Sequence, residues 1–296
     1  MLEVWGSGGV GLRMGHGPRV DVAVSRHSTD NRMMSEEWSD KTLVLPLPRH
    51  SAFPRSGTAL TVASPHHARE AVQAVVDGML AGRPKLCALE AGAGKRTRLE
   101  LPDDAYVVGV DADPVAIKIN PRLDERVVAD LGEYAPLPAS FDLITCWYVL
   151  EHVDDPGDIM DRLAGWTAPG GVVVLVVPNL RSPKSVLTKL TPHRFHVWFR
   201  RRVLGFPNAG RPGYGPYPTT LRREISPVAL RRRFAESGLY PVFQVYFEDP
   251  KQVALRRRLR VTGWRWRIVR MLVRAVSLGR LDAARSEYAV VLRRDS

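Results

Sequence analysis

The chain has 296 residues, of which 45% are hydrophobic and 25% are charged, and it contains two cysteines. This composition excludes a disordered, fibrous or disulfide-rich secreted chain, and the length fits one large domain or two small ones. No apolar run approaches the roughly 18 residues that a transmembrane helix needs, and the N-terminus lacks a signal-peptide pattern. We therefore expect a cytoplasmic protein.

The formal net charge of +12 is unevenly distributed along the chain. Residues 1–180 carry a net charge of −7, whereas residues 181–296 carry +19. A basic excess of this kind favours an anionic partner such as nucleic acid, a membrane surface or a phosphorylated molecule. Exposed arginines that have no partner at all would give the same count, so both interpretations stay open.

The chain divides into an N-terminal extension, residues 1–60, and a single domain, residues 61–296. Residues 1–40 mix glycine, serine, histidine and charged residues without a helical or strand period, so we expect them to be poorly ordered and dispensable. The glycine-rich residues 6–11 have no strand before them and no helix after them, which argues against a nucleotide loop. Three prolines predict a loop over residues 41–63.

Predicted helices and strands alternate from residue 64 onward. Ser64 and Pro65 predict the start of a helix that ends at Gly82. Continuous apolar runs, which are typical of parallel strands buried on both faces, then alternate with connecting segments. We predict an α/β fold with a doubly wound, seven-stranded, mostly parallel sheet and a helical or irregular insert after the fifth strand. The predicted strands are residues 86–89, 107–110, 126–129, 141–146, 171–177, 242–247 and 288–292.

Acidic and glycine residues lie where the first three predicted strands end. The first strand runs into Glu90, Gly92 and Gly94, the second ends in Asp111, and Asp130 follows the third. Ligands of doubly wound sheets bind at this edge, where glycines allow close approach and carboxylates accept hydrogen bonds from ribose hydroxyls or an adenine amino group. A nucleoside-containing ligand is therefore predicted here.

The glycine spacing does not fit a dinucleotide. The third glycine of that fingerprint would fall at position 97, which is Thr97, and position 96 is Arg96. Residues 85–180 instead resemble the class I S-adenosylmethionine-dependent methyltransferases. The resemblance rests on Glu90-x-Gly92-x-Gly94, Asp111, Asp130, Phe141-Asp142, Val149-Leu150-Glu151-His152-Val153 and Pro169-Gly170-Gly171.

This resemblance implies a Rossmann-like methyltransferase fold and S-adenosylmethionine as the cofactor. Many members carry another glycine where Arg96 stands; we expect Lys95 and Arg96 to begin a helix and to point to solvent. The cofactor-binding residues that the resemblance implies are Glu90, Gly92, Gly94, Asp111, Ala112, Asp130, Leu131 and Cys146.

The sequence gives fewer indications of which residues bind the methyl acceptor. His152 is the candidate general base, and its alternative role is to brace the cofactor loop. Trp147 and Tyr148 either wall the methyl-transfer pocket or belong to the core. The aromatic and basic insert over residues 180–220 is interpreted as an acceptor lid. Its candidate substrate-binding residues are His193, His196 and Tyr214, and no metal site is expected because no cysteine or carboxylate cluster accompanies the two histidines.

Residues 251–279 form a basic, tryptophan-containing amphipathic segment with eight arginines, which Gly263 divides in two. Apolar residues, among them Trp264, Ile268 and Ala275, recur at helical spacing. Such a helix either lies on an anionic membrane surface or packs on the sheet with its arginines in solvent. Both interpretations are carried forward.

Methyl transfer to a small-molecule or lipid-like acceptor is the predicted function, and peripheral contact with an anionic membrane through residues 251–279 is kept open. One alternative is an RNA methyltransferase that uses the basic half. Against it, no appended RNA-binding module is recognisable, and Val177-Pro178-Asn179 replaces the Asn/Asp-Pro-Pro-aromatic motif of base-amine methylases. The other alternative is a non-catalytic, cofactor-binding partner subunit.

Overall fold

The computed structural model describes residues 60–61, 64–211, 214–217 and 219–296. The predictions for residues 1–40, for the glycine-rich residues 6–11 and for most of the 41–63 loop lie outside these ranges. Within that loop, Leu60–Thr61 forms a short strand, β1, which pairs in parallel with residues 245–246. The prediction of a loop at this point is wrong, because the free backbone groups of a sheet edge allow even a two-residue segment to pair.

Eight strands of the described residues form one sheet in the order β1-β7-β8-β6-β5-β2-β3-β4. The seven predicted strands correspond to β2–β8, so the doubly wound α/β fold is confirmed and gains one short edge strand. Only β8 runs antiparallel to its neighbours, β6 and β7. The strand bounds are β2 Cys87–Ala91, β3 Tyr106–Asp111, β4 Glu125–Val128, β5 Phe141–Trp147, β6 Thr167–Pro178, β7 Leu239–Phe247 and β8 Glu287–Arg294.

The first helix, α1, begins as predicted. Ser64 is its N-cap, with its side chain accepting a hydrogen bond from the backbone N–H of His67, and Pro65 occupies the first turn. The helix bounds are α1 Pro65–Leu80, α2 Pro114–Lys118, α3 Pro156–Trp166, α4 Pro183–Leu190, α5 His193–Arg202, α6 Pro227–Glu236, α7 Pro250–Arg258 and α8 Gly263–Val276, with a 3₁₀ turn over Arg223–Ile225.

Helices cover both faces of the sheet. On one face, α1 buries Val72 and Val76 against β6, β7 and β8. On the other face, α3 and α6 bury Leu163, Leu230 and Phe234. The strands between them are almost completely buried, which explains why they appear in the sequence as continuous apolar runs.

The connection from β2 to β3 contains no helix, so the prediction that Lys95 and Arg96 begin one is wrong. The connection includes Pro102, and neighbouring side chains satisfy part of its backbone hydrogen-bonding groups instead. The Gln73 side chain bonds both the N–H and the carbonyl of Glu100, each at 2.8 Å. Arg122 Nη2 donates to the carbonyl of Pro102 at 2.8 Å. These bonds replace the ones that a helix would form within itself.

The segment over residues 251–279 forms α7 and α8, and α8 begins at Gly263 as the sequence predicts. No residue of α8 is buried, and Trp264 is 66% exposed. The interpretation in which this helix packs on the sheet through Trp264 is therefore wrong. The neighbouring strands β7 and β8 are already covered by α1 and α6, which leaves no open sheet face for α8. Across the described ranges, no helix combines the length and hydropathy that crossing a bilayer requires.

Candidate cofactor and acceptor site

The glycine loop after β2 is tied to the end of β3. The N–H groups of Gly92 and Ala93 donate to the carbonyl of Val110 at 2.8 and 3.0 Å. Gly92 has φ +78°, and a Cβ at this position would lie 2.2 Å from Cγ2 of Val149. Gly94 has φ +55°, but no atom lies within 4 Å of its Cβ position. The first glycine therefore allows close packing, and the second opens the loop toward free space.

Asp111 lies beside this loop, as the sequence predicts. One carboxylate oxygen accepts a hydrogen bond from the N–H of Gly94, and the other accepts one from the N–H of Asp113, both at 2.8 Å. The exposed Ala112 lies between the two aspartates. Asp113 in turn is the N-cap of α2 and accepts from Val115 and Ala116. The glycine loop and the acidic end of β3 thus form one hydrogen-bonded unit.

The third predicted acid lies one strand further along the same edge. Asp111 pairs with Val128 of β4, and Asp130 follows two residues later. The Asp130 side chain is exposed and accepts from the N–H of Gly132 at 2.8 Å, whereas Leu131 is buried in the core. Cys146 is also buried, and burial raises the pKa of its thiol. Its place near the end of β5, opposite Ala91, puts its backbone next to the glycine loop.

Glu90 supplies a buried carboxyl below the loop. Its side chain is buried, and burial raises its pKa to about 7. The Oε1 atom has no hydrogen-bond partner among the described residues. This orphaned oxygen, the open space at Gly94 and the carboxylates of Asp111 and Asp130 fit a ligand that carries an amino group, a ribose and an adenine.

The family model described as a methyltransferase domain matches residues 65–244, which is more than half of the chain. The chain belongs to this methyltransferase domain family. S-adenosylmethionine is accordingly its cofactor. The residues described above fit this cofactor, and its binding by them stays a prediction. When bound, the cofactor supplies a methyl group that is already activated on a sulfonium.

Curated relatives are similar over part of the methyltransferase domain. A ubiquinone biosynthesis O-methyltransferase from Leptothrix cholodnii is 30% identical over 112 residues, covering 35% of this chain and 47% of that protein. The protein of the same name from Psychrobacter cryohalolentis is 29% identical over 170 residues, covering 54% of this chain and 62% of that protein. The chain therefore spans about half the length of the curated relatives it matches.

A solved structure of an S-adenosylmethionine-dependent methyltransferase from Archaeoglobus fulgidus shares 15% identity. The comparison covers 76% of this chain and 94% of that chain, with a TM-score of 0.44.

The last part of the insert lies against the edge of the sheet that carries the glycine loop. Tyr217 Oη donates to Oδ2 of Asp113 at 2.9 Å, and the Tyr217 ring packs edge-on against His152 with 5.9 Å between the ring centroids. The ammonium of Lys95 lies 3.9 Å from the ring centroid of Tyr214. The predicted residues His152 and Tyr214 therefore both lie at this edge. Sequence analysis does not single out Tyr217 or Asp113, because nothing in their spacing shows that the two meet.

A cluster of buried charges lies at the same edge, beyond β5. Lys184 pairs with both Asp249 and Glu287. Burial raises the pKa of Glu287 to about 7 and the pKa of Glu151 to about 8. The Oε2 atoms of both glutamates have no hydrogen-bond partner among the described residues, and the same holds for Nε1 of Trp147. From this set sequence analysis names Trp147 as a site candidate and Glu151 only as part of the resemblance motif, because the charged residues come together only through the ends of β5, β6, β7 and β8.

The other residues predicted to bind the acceptor do not come together in one cluster. His196 Nε2 lies 3.0 Å from Oγ1 of Thr191, and His193 is exposed on α5. Tyr148 is half-buried, with φ +59°, and its N–H donates to the carbonyl of Val176 at 2.8 Å. Over the ranges that the structure covers, no group of three His, Cys, Asp or Glu side chains is placed to share a metal ion. Substrate roles for His193, His196 and Tyr148 stay predictions.

Proposed function

We propose that this chain transfers the methyl group of S-adenosylmethionine to a hydroxyl oxygen of a small organic acceptor. The position of His152 carries the proposal. Its ring contacts Tyr217, and Tyr217 is bonded to Asp113, two residues beyond the proposed ribose-binding Asp111. These contacts support an imidazole at the rim of the proposed cofactor site, on the side from which an acceptor would approach. The curated relatives named O-methyltransferases support an oxygen acceptor.

His152 acts as the base in this proposal. Imidazole is the side chain best suited to take a proton near neutral pH, and an acceptor hydroxyl has to lose its proton as its oxygen gains the methyl group. The neighbouring Glu151 is buried, and burial raises its pKa to about 8.

In this proposal the insert shields the reacting groups from water. Tyr214 lies over Lys95 at the glycine loop, and Tyr217 bridges Asp113 and His152. The N–H of Thr220 donates to the carbonyl of Glu151 at 2.9 Å, which fixes the far end of this segment. These contacts hold the insert near the edge at which, in this proposal, methyl transfer takes place, and a dry, well-positioned site is the main contribution that such a reaction needs from the protein.

The proposal is tested by incubating the purified protein and methyl-labelled cofactor with a cell extract, followed by mass spectrometry of the products. A labelled methyl ether of a small molecule is expected. A label confined to RNA would replace the proposal with the nucleic-acid alternative. Cofactor binding without any labelled product would identify a non-catalytic subunit.

The role of His152 is tested separately. His152→Ala should lower the methyl-transfer rate about 10²–10⁴-fold with little change in cofactor affinity. His66→Ala, at an exposed position on α1, is the matched control and should leave both quantities unchanged. A fall in cofactor affinity instead would show that His152 braces the cofactor loop.

A further inference from the structure

Helix α8 turns an apolar stripe toward solvent. Trp264 is 66% exposed, Ile268 39%, Met271 62% and Leu272 58%. At 100° per residue these side chains fall on one face of the helix, together with Ala275. The half-buried residues Trp266, Val269 and Val273 fall on the opposite face. The helix therefore rests on the protein through its less exposed side and presents its most apolar side outward.

Arginines border this stripe. On the helical wheel Arg265 falls on one side, and Arg267 and Arg274 fall on the other. Within the described part of the chain, neither Arg267 nor Arg274 forms an ion pair. Arg270, closer to the protein, does pair with Asp282, at 3.5 Å. The apolar face is thus flanked by cations that have no acidic partner among the described residues.

A second helix of the described residues, α5, also has no buried residue. Its Phe195 and Trp198 are 40% and 53% exposed. Its C-terminal end is joined to α7, because Arg258 Nη1 donates to the carbonyl of Val203 at 3.1 Å. Helix α5 comes after β6 and α8 comes after β7. Since β6 and β7 both run antiparallel to β8, their carboxyl ends lie at one edge of the sheet, the edge that also carries the glycine loop.

We propose that α8, with α5 at the same edge of the sheet, docks this protein on an anionic lipid bilayer. Ile268, Met271 and Leu272 enter the boundary between headgroups and acyl chains, and Trp264 lies at headgroup depth. Arg267 and Arg274 contact lipid phosphates. The docked surface lies at the edge of the sheet that holds the cofactor site, so an acceptor embedded in the bilayer can be reached there. The proposal holds whichever acceptor atom is methylated.

Two other occupants fit the surface less well. RNA would neutralise the arginines, but its phosphate backbone offers no apolar surface that would bury Ile268, Met271 and Leu272. A second copy of the chain would bury that stripe, but a two-fold contact would bring the same arginines toward their own copies, with no acids on α8 to offset them. A bilayer supplies both the apolar phase and the negative charge.

Flotation with vesicles of known composition tests the proposal. The full chain should float with vesicles of phosphatidylcholine and phosphatidylglycerol at low salt, and less at high salt or with phosphatidylcholine alone. The apolar variant Ile268→Glu/Met271→Glu should abolish flotation. Its matched control is Val228→Glu, at a 66% exposed position of α6, which should float like the wild type. Because all three positions are exposed, these variants should keep the wild-type melting temperature.

A second pair of variants tests how much the arginines contribute to vesicle binding. Arg267→Gln/Arg274→Gln should lower the vesicle partition coefficient about 30-fold, since each arginine near an anionic surface contributes a factor of about five. Arg222→Gln/Arg232→Gln, at two exposed sites outside α5 and α8, removes the same charge and should have a much smaller effect.

Four results would overturn the proposal. These are no flotation of the wild type, equal flotation of Ile268→Glu/Met271→Glu, salt-sensitive binding to RNA but not to vesicles, and a dimer in sedimentation that the apolar variant dissociates.

Discussion

Tyr217 and Asp113 are joined by a hydrogen bond of 2.9 Å between the phenol and a carboxylate oxygen, although 104 positions separate them in the chain. The bond connects the insert after β6 to the loop after β3. Burial, followed by the hydrogen bond to Asp113 and its negative charge, raises the pKa of Tyr217 to about 12. Tyr217 therefore stays protonated and keeps donating throughout the range in which the protein would work.

Tyr217→Phe removes this donor and keeps the ring that packs against His152. We expect cofactor affinity to fall by about 0.5–1.5 kcal/mol, because the insert is then held over the site by one hydrogen bond fewer. Calorimetric titration with S-adenosylmethionine measures the change. Tyr240→Phe, at a half-buried position in β7, is the control and should bind normally. Wild-type affinity in Tyr217→Phe would show that the bond does not help to close the site.

Asp111→Ala should weaken S-adenosylmethionine binding by about 1–3 kcal/mol, the range for losing charge-assisted hydrogen bonds. The loss has two sources. The ribose would lose its acceptor, and the N–H groups of Gly94 and Asp113 would lose the carboxylate that orders the loop. Isothermal calorimetry gives the affinity. Asp104→Ala, an exposed acid in the preceding connection, should change nothing; equal affinities for the two variants would contradict the assignment.

Gly92→Ala should destabilise the fold, as seen in chemical denaturation, by roughly 2–4 kcal/mol. The left-handed backbone contributes about 1–2 kcal/mol of this, and the overlap with Val149 contributes most of the rest. Gly94→Ala has a similar φ but open space around its Cβ, so it should show only the backbone part. Adding Val149→Ala to Gly92→Ala should relieve the overlap. Equal costs for Gly92→Ala and Gly94→Ala would mean that the loop does not pack tightly against Val149.

The stability of the protein should depend on pH through Glu151. Its pKa is about 8 in the folded protein, above the ordinary value, so the folded state binds the proton more tightly than the unfolded state. The free energy of unfolding therefore falls as pH rises from about 5 to about 8, and Glu287 and Glu90 act in the same direction up to about pH 7.

Melting temperatures measured over this pH range test the assignment. Glu151→Gln should flatten the decline, because the amide does not ionise. Glu133→Gln, at an exposed position, should leave the wild-type slope unchanged. A slope in Glu151→Gln that matches the wild type would mean that Glu151 ionises as freely in the folded state as in the unfolded state.

The sequence by itself determines the nucleotide-binding half of this protein. Buried parallel strands are uniformly apolar, and the residues that bind a ligand follow them at fixed strand ends, so Glu90, Gly92, Asp111 and Asp130 can be placed on one edge from their order alone. The cap at Ser64 is equally local. The cap depends only on residues within one helical turn. The strand ends depend on the regular alternation of strands and connections along the chain.

Only the tertiary structure decides the acceptor side. Lys184, Asp249 and Glu287 come from three separate segments, and their meeting depends on where α4 and the strand ends lie. The same holds for α8. Its sequence period is compatible with an apolar face turned inward or outward, because periodicity fixes which residues share a face but not what that face meets. The coverage of β7 and β8 by α1 and α6 leaves Trp264 and Ile268 in solvent.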